Sequence, residues 1–201
     1  MIERPPLAMG QGVAELGRCA IRTVEMIARH HLHQPTRNVG RRVGWADGTA
    51  SVVYRETVAE GPATATPTTL VVSFRLRRVR SAWLHALFRF ESELNTVLFA
   101  GFPGFISKLW FANDERGVYR GLYDWRDPVS AEAYVRALWW AVLVVSERDS
   151  IHYAILPGVC RDEILGDPSL TDAFAPDEPA AWWRVASARP VIMRRSRDTT
   201  M

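Results

Sequence analysis

Apolar residues recur at helical spacing near the start of the chain, and strand-like alternation follows them. Within residues 12–32 the apolar positions are Val13, Leu16, Ala20, Val24, Ile27 and Ala28. This spacing predicts an amphipathic helix. Residues 39–46 and 49–58 then alternate apolar and polar side chains on either side of Asp47-Gly48, a pair typical of a two-residue hairpin turn. The first third of the chain is therefore predicted to be a helix followed by a β-hairpin.

From residue 68 onward the pattern becomes regular. Alternation of apolar and polar residues predicts four strands, at residues 70–79, 105–112, 118–125 and 151–156. Apolar residues recur at helical spacing after Ser81 and again after Asp127-Pro128, which predicts two helices. The aspartate can cap the second helix, and proline suits its first turn. The order strand, helix, strand, strand, helix, strand is that of a ferredoxin-like βαββαβ core. We predict an α+β fold with an antiparallel four-stranded sheet.

This pattern divides the chain into three parts. Residues 59–67, AEGPATATP, have the composition of a connection. They separate an N-terminal helix and hairpin extension, residues 1–67, from a ferredoxin-like domain, residues 68–158. Residues 159–201 are rich in proline and charge, and we predict an irregular C-terminal tail that wraps the domain or its partner.

The predicted core leaves one sheet face without a cover. Both helices of a ferredoxin-like core lie on the same face, and the strands place apolar side chains on the other face as well. Large exposed apolar patches are rare on monomers. We therefore expect a homodimer in which a second subunit covers this face, although the N-terminal helix and hairpin could supply part of the cover.

Composition narrows the class of protein. The chain has 201 residues, of which 48% are hydrophobic and 23% charged, enough for a sizeable core. Its longest apolar run, residues 138–145, is far shorter than the roughly 20 residues of a membrane-spanning helix. The N-terminus has no basic segment followed by an apolar one. These features predict a cytoplasmic protein with no membrane partner.

The charge and the motifs of the sequence argue against several other classes of protein. The net charge is +3, and the basic stretches at residues 75–80 and 194–197 are too short to follow a nucleic-acid backbone, so we expect no nucleic-acid partner. Glycine-rich phosphate loops and the Gly-x-Ser-x-Gly elbow are absent from the sequence. Cys19 and Cys160 form no CxxC pair, so the sequence does not predict a disulfide framework or a zinc site.

Two strands carry the side chains of a candidate ligand site. Lys108, the only lysine of the chain, lies on the same face of its strand as Trp110. The candidate substrate-binding residues are Trp110, Tyr119, Tyr123, Trp125 and Trp139. Lys108 could stabilise an enolate or phenolate, and Tyr123 could hydrogen-bond a substrate oxygen. The alternative is that Lys108 extends to the sheet edge and the aromatic residues are core.

Histidines are the candidates for a general base. His85, near the start of the first core helix, and His152, near the start of the last strand, titrate close to neutral pH when unperturbed. A structural role is the alternative for each. No metal site is predicted, because the histidines at residues 30–33 have no acidic or cysteine ligand at a fixed spacing. Arg120 and Asp124, four residues apart on one strand, could pair with the partner subunit or with an internal charge, and we expect a structural role for them.

The region from residue 103 to residue 134 carries a family resemblance. The motifs are PGF-x-x-K-x-W, G-x-Y and SA-x-AY, and the residues concerned are Pro103, Gly104, Phe105, Lys108, Trp110, Gly121, Tyr123, Ser130, Ala131, Ala133 and Tyr134. In this order they resemble the dimeric α/β-barrel proteins, particularly the monooxygenases of the YdhR type. The chain is also similar to proteins of actinobacteria. The resemblance covers about residues 68–158.

The resemblance implies a ligand cavity between sheet and helices in each subunit. It further implies an enzyme that acts on small aromatic or polyketide-like molecules, commonly with no bound cofactor. A cofactor-independent monooxygenase is the first prediction. The alternatives are a cofactor-free cyclase or isomerase in natural-product biosynthesis, and a ligand-binding module without catalysis, because fold alone does not select among them.

Overall fold

The computed structural model describes residues 5–62, 64, 67–77, 96, 99–178 and 180–189. The described α-helices are α1 (Met9–Ala28), α2 (Pro128–Val145) and α3 (Arg161–Gly166). The strands are β1 (Leu32–His33), β2 (Arg42–Trp45), β3 (Ala50–Ala59), β4 (Thr68–Arg75), β5 (Phe105–Phe111), β6 (Val118–Trp125), β7 (His152–Pro157) and β8 (Val185–Arg189). Short 3₁₀ helices span Arg148–Ser150 and Pro168–Phe174. The helix predicted after Ser81 lies outside the described residues. Across the described ranges, no helix is both long and apolar enough to cross a membrane.

The strands form one antiparallel sheet that is larger than predicted. Its order is β7-β4-β6-β5-β3-β2-β8, and β1 also pairs with β3. The four predicted core strands are neighbours in this order, at β7-β4-β6-β5. The expected limit of four strands is wrong, because β3 pairs with the free edge of β5 from Val53, opposite Phe111, to Val58, opposite Ser107. The N-terminal hairpin therefore continues the sheet.

The turn between β2 and β3 forms as the sequence predicts. Gly48 has a φ of +85°, a conformation that glycine adopts without a steric cost. The Asp47 carboxylate accepts hydrogen bonds from the backbone and the hydroxyl of Thr49. Asp47 also accepts from buried Arg120 of β6 at 2.6 Å, and Arg120 donates to Asp114 in the β5–β6 loop at 2.6 Å. This network joins the two hairpin turns at one end of the sheet.

Both faces of the sheet are covered within the chain. On the helix face, α1 and α2 lie over the core of residues Leu70, Val72, Phe99, Phe102, Phe105, Trp110, Tyr123, Trp125, Tyr134 and Leu138. On the second face the sheet curls, and side chains from β2, β8 and α3 pack against those of the central strands. The buried residues of this second core are Val43, Trp45, Val71, Leu109, Phe111, Leu122, Leu156, Ile164, Trp183 and Val185. The expectation that this face is bare is wrong, because the hairpin and the C-terminal segment supply its cover. A bare sheet face therefore no longer supports the homodimer, which stays a prediction from the family resemblance.

The C-terminal segment is ordered in its described part, which corrects the expectation of an irregular tail. The amide of Cys160 donates to the Glu163 carboxylate at 2.9 Å, and this contact starts α3. Further along the chain, β8 pairs antiparallel with β2, with Ala188 opposite Val43. Both elements place apolar residues on the second face of the sheet.

Helix α1 packs through its small residues. Gly12, Cys19 and Thr23 are buried, whereas Val13 is 60% and Val24 58% exposed. The apolar stripe of the sequence therefore predicts the helix correctly, but of its residues only Leu16 and Ala20 lie toward the buried side. The reason is close approach, because Gly101 lies directly against the α1 backbone and leaves no room for larger side chains.

Substituting Gly101 with alanine is expected to lower the free energy of unfolding by about 1–3 kcal/mol. A Cβ atom at this position would lie 2.8 Å from the backbone nitrogen of Thr23 and would also press on the carbonyl oxygen of Cys19. Both are helix backbone atoms, which cannot move away as a flexible side chain can. Urea denaturation of the purified protein measures the change.

Gly17→Ala is the matched control for this substitution. Gly17 lies within α1, and a Cβ atom there would meet nothing within 4 Å. Alanine favours the helix over glycine by about 0.5–1 kcal/mol, so this variant should be slightly more stable than the wild type. If Gly101→Ala were as stable as Gly17→Ala, the close contact between Gly101 and α1 would be disproved.

Candidate functional site

The candidate site centres on Lys108 in the middle of β5. In the sheet register Lys108 lies opposite Tyr123 of β6 and Thr57 of β3. The residue is 4% exposed, so its side chain does not extend to the sheet edge. Strand alternation directs it to the helix face, together with Trp110. The alternative in which Lys108 extends to the sheet edge is wrong, whereas its second part holds for Trp110, Tyr123 and Trp125, which lie in the buried core.

Three aromatic rings surround the Lys108 amine. Nζ lies 3.1 Å from the ring centroid of Trp110, 4.5 Å from that of Phe99 and 4.6 Å from that of Tyr123. We call these three rings the aromatic cage. Within the described part of the chain, no carboxylate pairs with Nζ and no group accepts a hydrogen bond from it. The amine is therefore enclosed by π faces and has no acidic partner there.

The rings of the cage are held in place by their own contacts. Trp110 Nε1 donates a hydrogen bond to Thr57 Oγ1 at 3.1 Å. The hydroxyl of Tyr134, on α2, donates to the hydroxyl of Tyr123 at 3.3 Å. Phe99 packs edge-on to Trp110, with centroids 5.2 Å apart. Together β3, β5, β6 and α2 fix the geometry around the amine.

Burial lowers the pKa of Lys108 well below its ordinary value, and the nearby Arg55 guanidinium lowers it further. Arg55 is itself buried, lies 5.3 Å from the Trp110 centroid and donates to Thr96 Oγ1 at 2.5 Å. Both effects shift the amine toward its neutral form, in which the nitrogen lone pair is free to take up a proton or attack a carbon.

The tyrosines near the cage remain protonated at neutral pH. Burial raises the pKa of Tyr123, and it raises the pKa of Tyr134 well above its ordinary value. Burial also raises the pKa of Tyr54 to about 12. These hydroxyls can therefore donate hydrogen bonds to a substrate oxygen, but they are poor bases.

Tyr54 connects the cage to the protein surface. It is 40% exposed, and its ring centroid lies 6.4 Å from that of Trp110. Tyr119, predicted as a substrate-binding residue, is half-buried and stacks on Phe74 with centroids 5.9 Å apart. It makes no ring contact with the cage among the described residues. We refer to Tyr54, Phe74 and Tyr119 as the aromatic edge.

The two predicted tryptophans beyond the cage differ in position. Trp125 is fully buried, and its ring packs 4.9 Å from that of Tyr134. Its Nε1 is buried and finds no acceptor within the described residues. Trp139 lies half-buried on α2, while the adjacent Trp140 donates its Nε1 to the carbonyl of Leu7 at 2.8 Å. Trp125, but not Trp139, thus extends the aromatic cluster around the cage.

Within the part of the chain that the structure describes, no histidine lies beside Lys108. His152 is exposed on β7, where alternation places it with Ala154 and Leu156 on the second face, and its ring lies 5.9 Å from that of Trp182. His85 lies outside the described residues. Over the described ranges, no group of three or more His, Cys, Asp or Glu side chains could hold a metal ion.

A buried ionic cluster lies on the second face. Arg161 of α3 pairs with Glu56 of β3, and its Nε is 3.2 Å from Asp124 Oδ2 on β6. Asp124 also accepts from the Arg161 amide at 2.8 Å and from Ser107 Oγ at 2.8 Å. Burial raises the pKa of Asp124, while its contacts with Arg161 oppose that rise. Asn38 donates to both carboxylate oxygens of Glu56 at 3.1 Å.

Arg120 and Asp124 do not pair with each other. Arg120 binds Asp114 and Asp47, and Asp124 binds Arg161, which follows it by 37 positions in the chain. Of the two options that the sequence left open, the partner subunit or an internal charge, both residues pair with internal charges. Spacing along one strand could not identify these partners, because each of them comes from another element.

Sequence reasoning missed Phe99 and Tyr134 as residues of the site. Phe99 lies in a turn before β5, where no periodicity marks it. Tyr134 is one of the residues that carry the family resemblance, but it was not recognised as a neighbour of Tyr123. Its position on α2, seven residues after the capping Asp127, is the signal that indicates the face of the helix turned to the sheet.

Comparisons with known proteins leave the family open. No protein-family model and no curated protein matches the chain. One solved structure is a ferredoxin-fold protein of Listeria monocytogenes that is described as related to antibiotic biosynthesis monooxygenases. It is 13% identical to this chain, with a TM-score of 0.39. The match covers 56% of this chain and 66% of the Listeria protein, slightly less than two thirds of its length. A protein described as a major regulator of staphylococcal pathogenesis is 15% identical, with a TM-score of 0.37 and coverage of 55% and 69%.

These likenesses are too weak to carry an argument about function. The resemblance to monooxygenases of the YdhR type and to actinobacterial proteins stays a prediction. The function proposed below therefore rests on the geometry around Lys108.

Proposed function

We propose that the chain is an enzyme that oxygenates electron-rich aromatic or polyketide-like molecules without a bound cofactor, with Lys108 as the reacting side chain. The observation that carries the proposal is a buried lysine inside an aromatic cage with no carboxylate partner among the described residues. Burying an unpaired amine costs free energy, so such a site is retained where the amine has a chemical role.

The identity of the cation supports a chemical role. The chain has 25 Lys and Arg residues in all, and every one except Lys108 is arginine. Arginine remains protonated in proteins, whereas a buried lysine can lose its proton. The chain thus has its one amine side chain at the position where a neutral base is possible.

The proposed reaction begins with proton transfer to the neutral amine. Nζ takes a proton from an activated methylene group of the substrate, and the resulting ammonium stabilises the carbanion beside it. The carbanion then reacts with molecular oxygen. One oxygen atom becomes a carbonyl on the former methylene carbon and the other leaves as water, so CH₂ and O₂ yield C=O and H₂O.

The surrounding groups suit a flat substrate. Aromatic rings bind planar molecules by stacking and exclude water from the reacting atoms. The hydroxyl of Tyr123 and the unpaired Nε1 of Trp125 are buried donors available to substrate oxygens. In this proposal the substrate enters at the aromatic edge, where Tyr54 is exposed.

Oxygen uptake with Lys108 variants tests the proposal. Anthrone and 1-phenylbutane-1,3-dione serve as probes, because each has a methylene group acidified by neighbouring π systems. We expect Lys108→Met to lower the enzymatic rate by at least about 100-fold, since a positioned base contributes roughly 10²–10⁴-fold. Lys108→Arg, which keeps the charge but cannot become neutral, should lose activity to a similar extent. Mass spectrometry after reaction with heavy-isotope oxygen checks that one oxygen atom enters the product.

The controls separate a base from a positive charge. If Lys108→Arg kept most of the activity, the amine would act through its charge only. If Lys108→Met oxidised both probes at the wild-type rate, Lys108 would have no part in the reaction. Arg37→Met, at an exposed ion pair with Asp162, should leave the rate unchanged and controls for a general loss of charge.

A cyclase or isomerase is the second candidate. The described polar groups in and around the cage are few, namely Lys108, the Tyr123–Tyr134 hydroxyls and the indole nitrogens of Trp110 and Trp125. A mostly aromatic site can act by holding a flexible substrate in a reactive shape. Conversion of a probe at the same rate with and without oxygen would favour this candidate. Binding of the probes without conversion would instead indicate a ligand-binding module.

A further inference from the structure

We infer that Lys108 captures β-dicarbonyl compounds covalently and reversibly, as an enamine formed between Nζ and one carbonyl carbon. The inference rests on the proposed function, because it concerns the same site, and it names the group within polyketide-like molecules that the site recognises. It places an enamine where the proposed function requires a carbanion.

The surroundings of Lys108 shift its amine toward the neutral form. Only a neutral amine attacks a carbonyl, and an ordinary lysine is almost wholly protonated at neutral pH. Lys108 is 4% exposed, has Arg55 nearby and has no carboxylate partner in the described part of the chain. Each of these features disfavours the ammonium form. Buried lysines of this kind are the ones that form Schiff bases.

The aromatic cage fits the cationic intermediate of this reaction. Attack of Nζ on a carbonyl passes through an iminium, a cation spread over nitrogen and carbon. Its nitrogen would lie at the Nζ position, between 3.1 and 4.6 Å from the centroids of Trp110, Phe99 and Tyr123. Aromatic faces stabilise such cations and hold little water to hydrolyse them. The same rings would therefore protect the adduct.

The condensation of the amine with the diketone balances in atoms and electrons. An amine and a β-dicarbonyl compound give an enamine conjugated to the second carbonyl, and one water molecule. The water takes the oxygen of the attacked carbonyl, one hydrogen from Nζ and one from the central methylene. No oxidant or reductant is consumed, and water reverses the step. The central carbon becomes electron-rich, as the proposed reaction with oxygen requires.

Pentane-2,4-dione is the probe for this inference. The 201-residue chain is incubated with it at pH 7, and the conjugated enamine is followed by its near-ultraviolet band and by intact-mass spectrometry. We expect a mass gain equal to one diketone less one water, which peptide mapping assigns to Lys108. Because Lys108 is the only lysine, the α-amino group of Met1 is the one other primary amine.

Two controls keep the test decisive. Lys108→Met removes the amine, preserves the side-chain volume and retains the terminal amine, so it should lose the adduct. The wild-type chain unfolded in urea presents the same lysine without its surroundings. We expect the folded protein to react at least about tenfold faster at Lys108 than the unfolded chain, because each unit of lowered pKa raises the neutral fraction tenfold. Labelling at Met1 alone, or equal rates in the folded and unfolded chains, would overturn the inference.

The test also separates this inference from the proposed function. An adduct at Lys108 in a protein that takes up no oxygen with either probe would support covalent capture and contradict the oxygenase. Oxygen uptake that depends on Lys108, in a protein that forms no adduct there, would support the base mechanism and overturn the enamine.

Discussion

Replacing Arg161 with methionine is expected to lower the free energy of unfolding by about 3–5 kcal/mol, the usual cost of removing one partner of a buried ion pair. Arg161 is 3% exposed and contacts Glu56 and Asp124, which are 2% and 8% exposed. Without the guanidinium these two carboxylates remain buried close to each other with no cation between them. The hydrogen bonds from Asn38 and Ser107 compensate only in part.

Urea denaturation at pH 7 measures this effect, and Arg37→Met is its matched control. Arg37 pairs with Asp162, the residue next to Arg161, but both side chains are exposed. Exposed pairs contribute about 0–1 kcal/mol, so the control should differ little from the wild type. If the two variants were equally stable, the buried cluster would not hold the C-terminal segment to the sheet.

A double substitution locates the cost of losing Arg161. Adding Glu56→Gln to Arg161→Met removes one of the two stranded charges, because glutamine is neutral and retains a polar end for Asn38. The double variant should be more stable than Arg161→Met alone. A further loss of stability would show that Glu56 contributes mainly through Asn38 rather than through its charge.

Replacing Lys108 with methionine is expected to stabilise the folded protein at pH 7 while removing the proposed chemistry. In the unfolded chain Lys108 has a pKa near 10.5 and is protonated at pH 7, whereas folding lowers that pKa well below this value. Folding thus weakens the binding of this proton, which costs free energy at pH 7. Methionine fills the same space and has no proton to lose.

The sign of the pH dependence follows from that proton. Above the lowered pKa of the folded state and below 10.5, the unfolded chain binds one more proton at Lys108 than the folded chain does. The stability of the wild type relative to Lys108→Met should therefore rise with pH, by at most about 1.4 kcal/mol per pH unit. The gain ends once the pH exceeds the ordinary lysine pKa.

Urea denaturation of both proteins at several values between about pH 7 and pH 10 measures this slope. Taking the difference between the two proteins cancels tyrosine and cysteine titrations that they share. A difference that does not change with pH would mean that Lys108 has the same protonation state in the folded and unfolded chains. The base mechanism and the enamine would then both lose their physical basis.

Much of the local structure and part of the site could be predicted from sequence. The turn at Asp47-Gly48, the start of α2 at Asp127 and the four core strands depend on residues close together in the chain. Strand alternation alone placed Lys108 and Trp110 on one face, because successive side chains of a strand point to opposite sides. The identity of Lys108 as the only lysine is likewise a property of the sequence.

Contacts between distant elements were decided only by the tertiary structure. The pairing of Arg161 with Glu56, the position of Phe99 and Tyr134 around the amine, and the cover over the second sheet face each join elements far apart in the chain. Helix α1 is the clearest case of what periodicity cannot predict. Its apolar stripe predicts a helix, whereas small residues form its closest contact with the rest of the chain. Periodicity reports which residues share a face, and packing between elements determines which face is buried and what surrounds Lys108.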